Sequence, residues 1–277
     1  MMPGRRWLVK LLVQAGRRLI VPRATGRVVV LCYHSIHPTK IFSSATPALL
    51  SQHLRWLKDQ CELIPFGRIM EAARSSDGSR PRVAITFDDG YADNYEWAFP
   101  LLQEYAVPAT FFLTSGLLAN DPAVVARCAR LRCAPPEAVR ALEWSHVREM
   151  WKAGMEVGAH THSHPNLARL NPAAIRKELQ HSKSLIEDQL GAAVPLMAYP
   201  FGKPHRHFTA ATMQLAAEAG YACAAAATFR GVQPSHSPFA VPRFFVPRDS
   251  VRTLAEKIAG AWDVVGLWQE HTLGGFA

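Results

Sequence analysis

Apolar residues fall along this chain in two alternating rhythms. Val28–Tyr33 (VVVLCY) is an unbroken, largely β-branched apolar run, which predicts a strand buried on both faces. Thr46 and Pro47 then offer an N-cap and a first helical position, and Leu49, Leu50, His53, Leu54 and Leu57 follow at helical spacing. A strand is predicted at residues 82–87 (RVAITF), a helix over 95–105 and a further strand at 109–113 (ATFFL). The alternation continues through a helix after Ser145, a strand at 155–159, a long helix over Pro172–Leu190, and a short strand near 196–199. A helix at 208–219 and strands near 221–225 and 243–246 complete it. Such alternation predicts one α/β domain over residues 27–277, built on a parallel sheet, open or closed into a barrel, with functional groups at the carboxyl ends of strands. Residues 120–141 fit no strand and read as an insertion on one face whose Arg127, Arg130, Arg132 and Arg140 make a solvated surface or, alternatively, an anion-contacting lid.

Composition narrows the class. With 277 residues, 49% hydrophobic and 19% charged, the chain is able to bury a full core, which excludes disorder, collagen and coiled coil. Cys32, Cys61, Cys128, Cys133 and Cys223 lack CxxC spacing, so neither a disulfide framework nor a cysteine-ligated zinc site is indicated, and a reducing compartment fits best.

The net charge of +9 is concentrated at one end: ten basic residues and no acidic one occur up to Lys58, and the other 21 basic residues face 22 acidic ones. A nucleic-acid enzyme carries positive charge around its groove as well, so no nucleic-acid partner is expected. Residues 1–26 read as a basic amphipathic segment that either packs on the domain or makes peripheral contact with an anionic membrane surface. Its apolar stretch from Trp7 to Val13 is broken by Lys10, too short to span a bilayer, and lacks a small-residue cleavage pattern. The expectation is therefore a cytoplasmic or inner-membrane-surface protein with no cleavable signal peptide.

The chemistry gathers at two predicted strand ends. Thr86-Phe87-Asp88-Asp89-Gly90 closes the RVAITF strand with two adjacent carboxylates, and adjacent strand residues point to opposite sides. One carboxylate is then able to ligate a metal while the other stays free as a general base. A plain turn capping the next helix accounts for the same tripeptide. The second cluster, His160-Thr161-His162-Ser163-His164, follows the 155–159 strand. His160 and His164, four apart, can reach one ion, and with a carboxylate they suit zinc or another borderline divalent metal; His162 points elsewhere.

TFDDG at 86–90, HTHSH at 160–164 and AYPFG at 198–202, in this order, resemble the polysaccharide deacetylases that share the NodB homology domain, carbohydrate esterase family 4. The resemblance implies a distorted (β/α) barrel and hydrolytic removal of acetyl groups from N-acetylated sugars with a metal-activated water, the metal most readily zinc. It implies Asp88 as general base and Asp89, His160 and His164 as the metal triad. Tyr199, Pro200, Phe201 and Gly202 become the motif lining the groove, where the Phe201 N–H meets the oxyanion.

Two departures stand out. The family's third motif usually carries an arginine two residues before its proline, and this chain has Ala198; Arg243 is nominated as the substitute. No C-terminal apolar strand ends in the histidine that serves as general acid. His34, which ends VVVLCYH, resembles the layout of a circularly permuted subgroup acting on exopolysaccharides and is assigned that role, with a pKa near neutrality. Tyr33, Trp144, Tyr199 and Phe201 are candidates for stacking on sugar rings. Two rival functions stay open: an amidase acting on a small molecule or glycolipid with the same residues, and a catalytically dead carbohydrate-binding module.

Overall fold

The structure, a computed structural model, describes residues 11–14, 26–39, 44–75 and 78–267. Of the basic segment at 1–26, that leaves one helical turn at 11–14, with Val13 buried, and Gly26; Trp268 and His271 also lie outside the described residues. The chain forms β1 (Val28–Tyr33), α1 (Pro47–Gln60), a short β2 (Glu62–Leu63), α2 (Ile69–Arg74) and β3 (Arg82–Asp89). Next come α3 (Phe99–Glu104), β4 (Thr110–Leu113), α4 (Ser115–Leu118), α5 (Pro122–Arg132), α6 (Trp144–Lys152) and β5 (Glu156–Ala159). Then follow α7 (Pro172–Leu190), β6 (Leu196–Ala198), α8 (Ala210–Glu218), β7 (Cys223–Ala225), β8 (Phe244–Phe245) and α9 (Val251–Ile258).

Every strand pairing is parallel, in the order β7-β6-β5-β4-β3-β1-β8, with β2 also on β3. Parallel strands covered on both faces need apolar side chains on both, and every residue of β1 and β3 is buried. Outward-facing Val29, Leu31, Tyr33, Val83, Ile85 and Phe87 pack under the helices. Inward-facing Val28, Val30, Ala84, Phe112, Leu196 and Ala225 form a second core, with Ile69 and Met70 of α2 packed against it. The two sheet edges nearly meet. Val241 bridges to Ala225 of β7, and three residues on Phe244 pairs with Leu31 of β1, so residues 241–245 close the sheet into the distorted (β/α) barrel.

The predicted caps are in place. The Thr46 side chain accepts from Leu49 N with Pro47 in the first turn of α1, an arrangement worth about 1 kcal/mol. His53 on that helix is a satisfied core histidine: its two ring nitrogens meet Tyr33 Oη at 2.7 Å and the Asp249 carbonyl at 2.8 Å. The helix predicted over 95–105 begins instead as a π-helical turn, Asn94–Ala98, before α3. Pro100 has no N–H to give the carbonyl four residues back, and it sits where the wider turn gives way to the α-helix.

Strand register sets up the site. Cys32 pairs with Thr86. His34 and Asp88 lie two residues beyond each, so the inward face of β1 and β3 carries Cys32, His34, Thr86 and Asp88 toward the barrel mouth. On β5, Gly158 pairs with Phe112, and a Cβ there would meet the Phe112 ring at 2.5 Å and the Leu196 carbonyl oxygen at 2.9 Å. That contact leaves no room for a methyl group two residues before His160. Gly158→Ala is therefore expected to destabilise the fold by about 1–3 kcal/mol, read as a lower urea midpoint with an unchanged slope.

Candidate active site

A cavity of about 430 Å³ opens at the carboxyl ends of the strands and is bordered by His34, Asp88, Asp89, His160, His164 and Arg243. Four separate chain segments contribute these six side chains, and barrel closure is what brings them together.

Asp88 is paired with Arg243 by two parallel hydrogen bonds, Nη1 to Oδ1 at 2.7 Å and Nη2 to Oδ2 at 2.8 Å, with side-chain exposures of only 4% and 3%. Arg243 is itself held by the Ala226 carbonyl (3.1 Å) and Thr86 Oγ1 (3.1 Å). Burial opposes ionisation of Asp88, but the Arg243 guanidinium, with His160 and His34, outweighs it and holds the carboxyl below its ordinary range. The same carboxylate keeps Arg243 charged despite burial.

Asp89 also borders the cavity, contrary to the alternation that sends adjacent strand residues to opposite faces. The reason is local: Asp89 has φ 79°, a left-handed conformation that Asp tolerates better than most residues, and it swings the side chain back toward the mouth. Gly90 follows at φ 82°, with Leu118 and Leu113 too close for a Cβ. Asp89 Oδ2 accepts from Tyr91 Oη at 2.7 Å and lies 3.5 Å from Arg132 Nη2. Oδ1 lies 3.5 Å from His160 Nε2 and 3.4 Å from His164 Nε2, and is buried with no hydrogen-bond partner among the described residues.

His160 Nδ1 must donate, because its partner 2.8 Å away is the Ala198 carbonyl, which leaves Nε2 as the ring nitrogen turned toward Asp89. Burial pushes His164 down to about 4, with Asp89 opposing the shift. Burial likewise opposes ionisation of Asp89, and His34, His164, His160 and Arg132 overcome it, holding the carboxyl below its ordinary range. An orphaned buried carboxylate oxygen facing two imidazole nitrogens, with donor atoms within 4.8 Å of one another, is a donor set that fits a divalent cation such as zinc.

His34 is half-buried beside these groups, its ring edge-on to Phe245. Burial lowers its pKa, with Asp89 and Asp88 pulling the other way, so the expectation of a pKa near neutrality is corrected downward. Pro200 and Gly202 are buried in the turn after β6, where Gly202 (φ 63°) lies against the Ala226–Ala227 backbone. That turn holds Phe201 at φ 60° on the rim, 41% exposed and edge-on to His164. Tyr199 borders the cavity, yet its ring stacks on Phe208 at 4.0 Å and its hydroxyl donates to the Phe239 carbonyl, which makes it a core residue. Tyr33, buried on Phe87, is core as well, and Trp144 is half-buried against the core at the start of α6, so that of the four candidates Phe201 is the one presented to a ligand. His162 turns away to Ser115 and His181.

The segment at 120–141 is not merely a solvated surface. It contains α5, whose last residue Arg132 has a side chain only 8% exposed, lies over the Tyr91 ring at 2.9 Å and reaches Asp89. Periodicity has no signal for a cation that folds back from an insertion. Cys32, which lies 3.5 Å from Asp88 Oδ2, is equally hidden inside the apolar run VVVLCY.

The polysaccharide deacetylase family model matches residues 75–224. This chain belongs to that family. Its members are hydrolases acting on carbon–nitrogen bonds other than peptide bonds. The Bacillus subtilis (strain 168) protein YxkH is 26% identical over 205 residues, 71% of this chain and 63% of that one, so the chain spans less than two thirds of that relative. A poly-beta-1,6-N-acetyl-D-glucosamine N-deacetylase of Staphylococcus aureus (strain MRSA252) is 22% identical over 230 residues, 79% of this chain and 72% of that one. Among solved structures, the Streptococcus pyogenes deacetylase PplD in complex with acetate superposes with a TM-score of 0.70 at 24% identity, over 84% of this chain and 98% of that chain. IcaB from Ammonifex degensii gives 0.70 at 22% identity, over 84% and 97%. These two likenesses establish the polysaccharide deacetylase fold. His34 and Arg243 fall outside the stretch matched by the family model, so their place in this family member rests on the geometry above.

Arg243→Met leaves Asp88 as an uncompensated buried charge and is expected to cost about 3–5 kcal/mol at neutral pH in urea unfolding, whereas the double variant Arg243→Met, Asp88→Asn recovers much of that loss. Because the folded Asp88 pKa lies below its ordinary value of 3.8, the pair's contribution stands above that pH and is lost as pH falls through the lowered value. The gap between wild type and Arg243→Met should therefore close only in strong acid.

Proposed function

We propose that this chain hydrolyses the N-acetyl group of an N-acetylated sugar polymer or glycan. The observation that carries the reading is one cavity holding an ionised carboxylate locked by Arg243 directly beside a second carboxylate aimed at two imidazoles. Asp89, His160 and His164 would hold a divalent ion, zinc by ligand type, and the chemistry it supplies there is Lewis acidity toward the acetyl carbonyl and a lowered pKa for water.

The chain's own residues divide the remaining work. Asp88, kept ionised by Arg243, accepts a proton from the attacking water, and Arg243 fixes the carboxylate plane so that a lone pair faces the cavity. The Phe201 N–H, held on the rim by its left-handed turn, donates to the oxygen that gains charge as the acetyl carbon becomes tetrahedral. His34, which borders the same cavity, protonates the departing amine, since an unprotonated amide nitrogen is a poor leaving group. The Phe201 ring, exposed beside His164, is suited to stack on a sugar face. The polymer named for the Staphylococcus aureus relative is the first substrate to assay, with N-acetylglucosamine oligomers and small N-acetylated amides beside it.

Acetate release and metal content of the purified protein test the assignment together. Asp89→Ala, His160→Ala and His164→Ala are each expected to lose both bound ion and activity while staying folded. Asp88→Asn is expected to keep its ion and lose about 10²–10⁴ in rate. Loss of the ion from Asp88→Asn would exchange the roles of the two aspartates.

His34→Gln separates proton donation from binding. It should slow hydrolysis of an N-acetyl amide far more than that of an acetyl ester with a good leaving group, which needs little protonation. Equal losses on both substrates with unchanged metal content would remove His34 from the acid role.

A further inference from the structure

A second set of metal-ligating atoms lies on the barrel wall beside the Asp89–His160–His164 triad. Cys32 Sγ is 3.5 Å from Asp88 Oδ2 and 3.9 Å from His34 Nδ1, and one ligand atom from each of the three residues lies within 4.8 Å of the others. An ion held tetrahedrally at ~2.3 Å from sulfur and ~2.0–2.2 Å from nitrogen and oxygen keeps its ligand atoms roughly 3.3–3.6 Å apart. The sulfur–oxygen spacing already meets this, and the sulfur–nitrogen spacing needs to close by only a few tenths of an ångström. Asp88 Oδ2 accepts one bond from Arg243 Nη2 and a second from the Cys32 thiol, so the lone pair facing sulfur becomes open to a cation once the thiol proton leaves.

We propose that Cys32, His34 and Asp88 form a second, inhibitory site for a thiophilic divalent cation, zinc in excess or cadmium. On binding, the Cys32 thiol releases its proton to solvent and a metal–sulfur bond forms, while His34 and Asp88 each contribute a lone pair; nothing is oxidised or reduced. Hard ions are refused. Arg243 already neutralises Asp88, and a thiolate offers magnesium or calcium little, whereas zinc and cadmium gain covalency from sulfur. The inhibitory half of this inference rests on the proposed function, because the ion occupies the two groups assigned to proton transfer; the binding half does not.

The test uses the full chain carrying one equivalent of zinc, titrated with cadmium chloride. A second equivalent is expected to bind, with a thiolate-to-cadmium charge-transfer band rising in the ultraviolet as acetate release falls; magnesium produces neither. In Cys32→Ala the band should vanish. The cadmium concentration for half-inhibition, measured against that variant's own rate, should rise by at least the roughly 10- to 100-fold that loss of an outer-shell partner costs. Asp89→Ala, lacking a triad ligand, and Cys133→Ala, lacking the exposed thiol, should both keep the band. A band unchanged in Cys32→Ala, or lost in Cys128→Ala or Cys133→Ala instead, overturns the site. A full band with undiminished turnover overturns the inhibitory role, and full activity of Asp88→Asn alongside it would place that failure in the catalytic assignment and not in the metal site.

Discussion

The Asp88–Arg243 pair is the interaction on which fold and chemistry both depend. Taking a guanidinium and a carboxylate out of water costs several kcal/mol per ion, and only close geometry with additional hydrogen bonds offsets it. Here four of the five guanidinium N–H groups are engaged: two bonds between the partners, and two more from Arg243 to Ala226 and Thr86. Those four contacts span β3, the end of β7 and the segment that closes onto β1. The barrel's closure and the ionisation of its inner carboxylate are thus one structural fact, since a displaced residue 243 would leave a charge buried without a partner at the mouth.

Register then distributes the remaining groups. Parallel strands carry every second residue inward, and the Cys32–Thr86 pairing puts His34 and Asp88 at one height on that inner face. A strictly regular strand would have sent Asp89 outward among the helices. The left-handed turn at Asp89 overrides this, and Thr161, His164 and Phe201 share the same sign of φ around the cavity. Backbone conformations that cost about 1–3 kcal/mol each persist where their surroundings over-determine them, and here the surroundings are the site itself.

Much of this was legible in the sequence, and for identifiable reasons. The strand runs, the Thr46 cap and the long helix Pro172–Leu190 are local patterns, and local patterns survive folding when the sheet is buried on both faces. The paired aspartates and the two histidines were visible because polar residues at the ends of apolar runs are conspicuous. Arg243 was reachable only through the gap at Ala198, a role without an occupant. What escaped were contacts made by tertiary return: Arg132 coming back from an insertion onto Tyr91 and Asp89, and Cys32 hidden inside VVVLCY. The aromatics show the opposite error. Tyr33 and Tyr199 end apolar runs as ligand-facing residues do, but each finds a stacking partner and a buried hydrogen bond and so belongs to the core.

Adjacent carboxylates in a low-dielectric pocket normally raise one another's pKa, and one of the two stays protonated. Here both are held below their ordinary range, and by separate means. Asp88 leans on a guanidinium that cannot lose its proton, whereas at Asp89 the imidazoles of His34, His164 and His160 oppose the charge only when protonated, with Arg132 beside the other oxygen. The first arrangement is permanent and the second is exchangeable. His160 and His164 can surrender the interaction to a cation, while Tyr91 and Arg132 continue to hold the other carboxylate oxygen in place. That asymmetry suits Asp88 to moving protons and Asp89 to holding an ion, even though the two residues are neighbours in the chain. It also explains why their side chains approach the cavity differently: one by the ordinary pleat of a strand, the other by a left-handed turn that sets its free oxygen against the histidines.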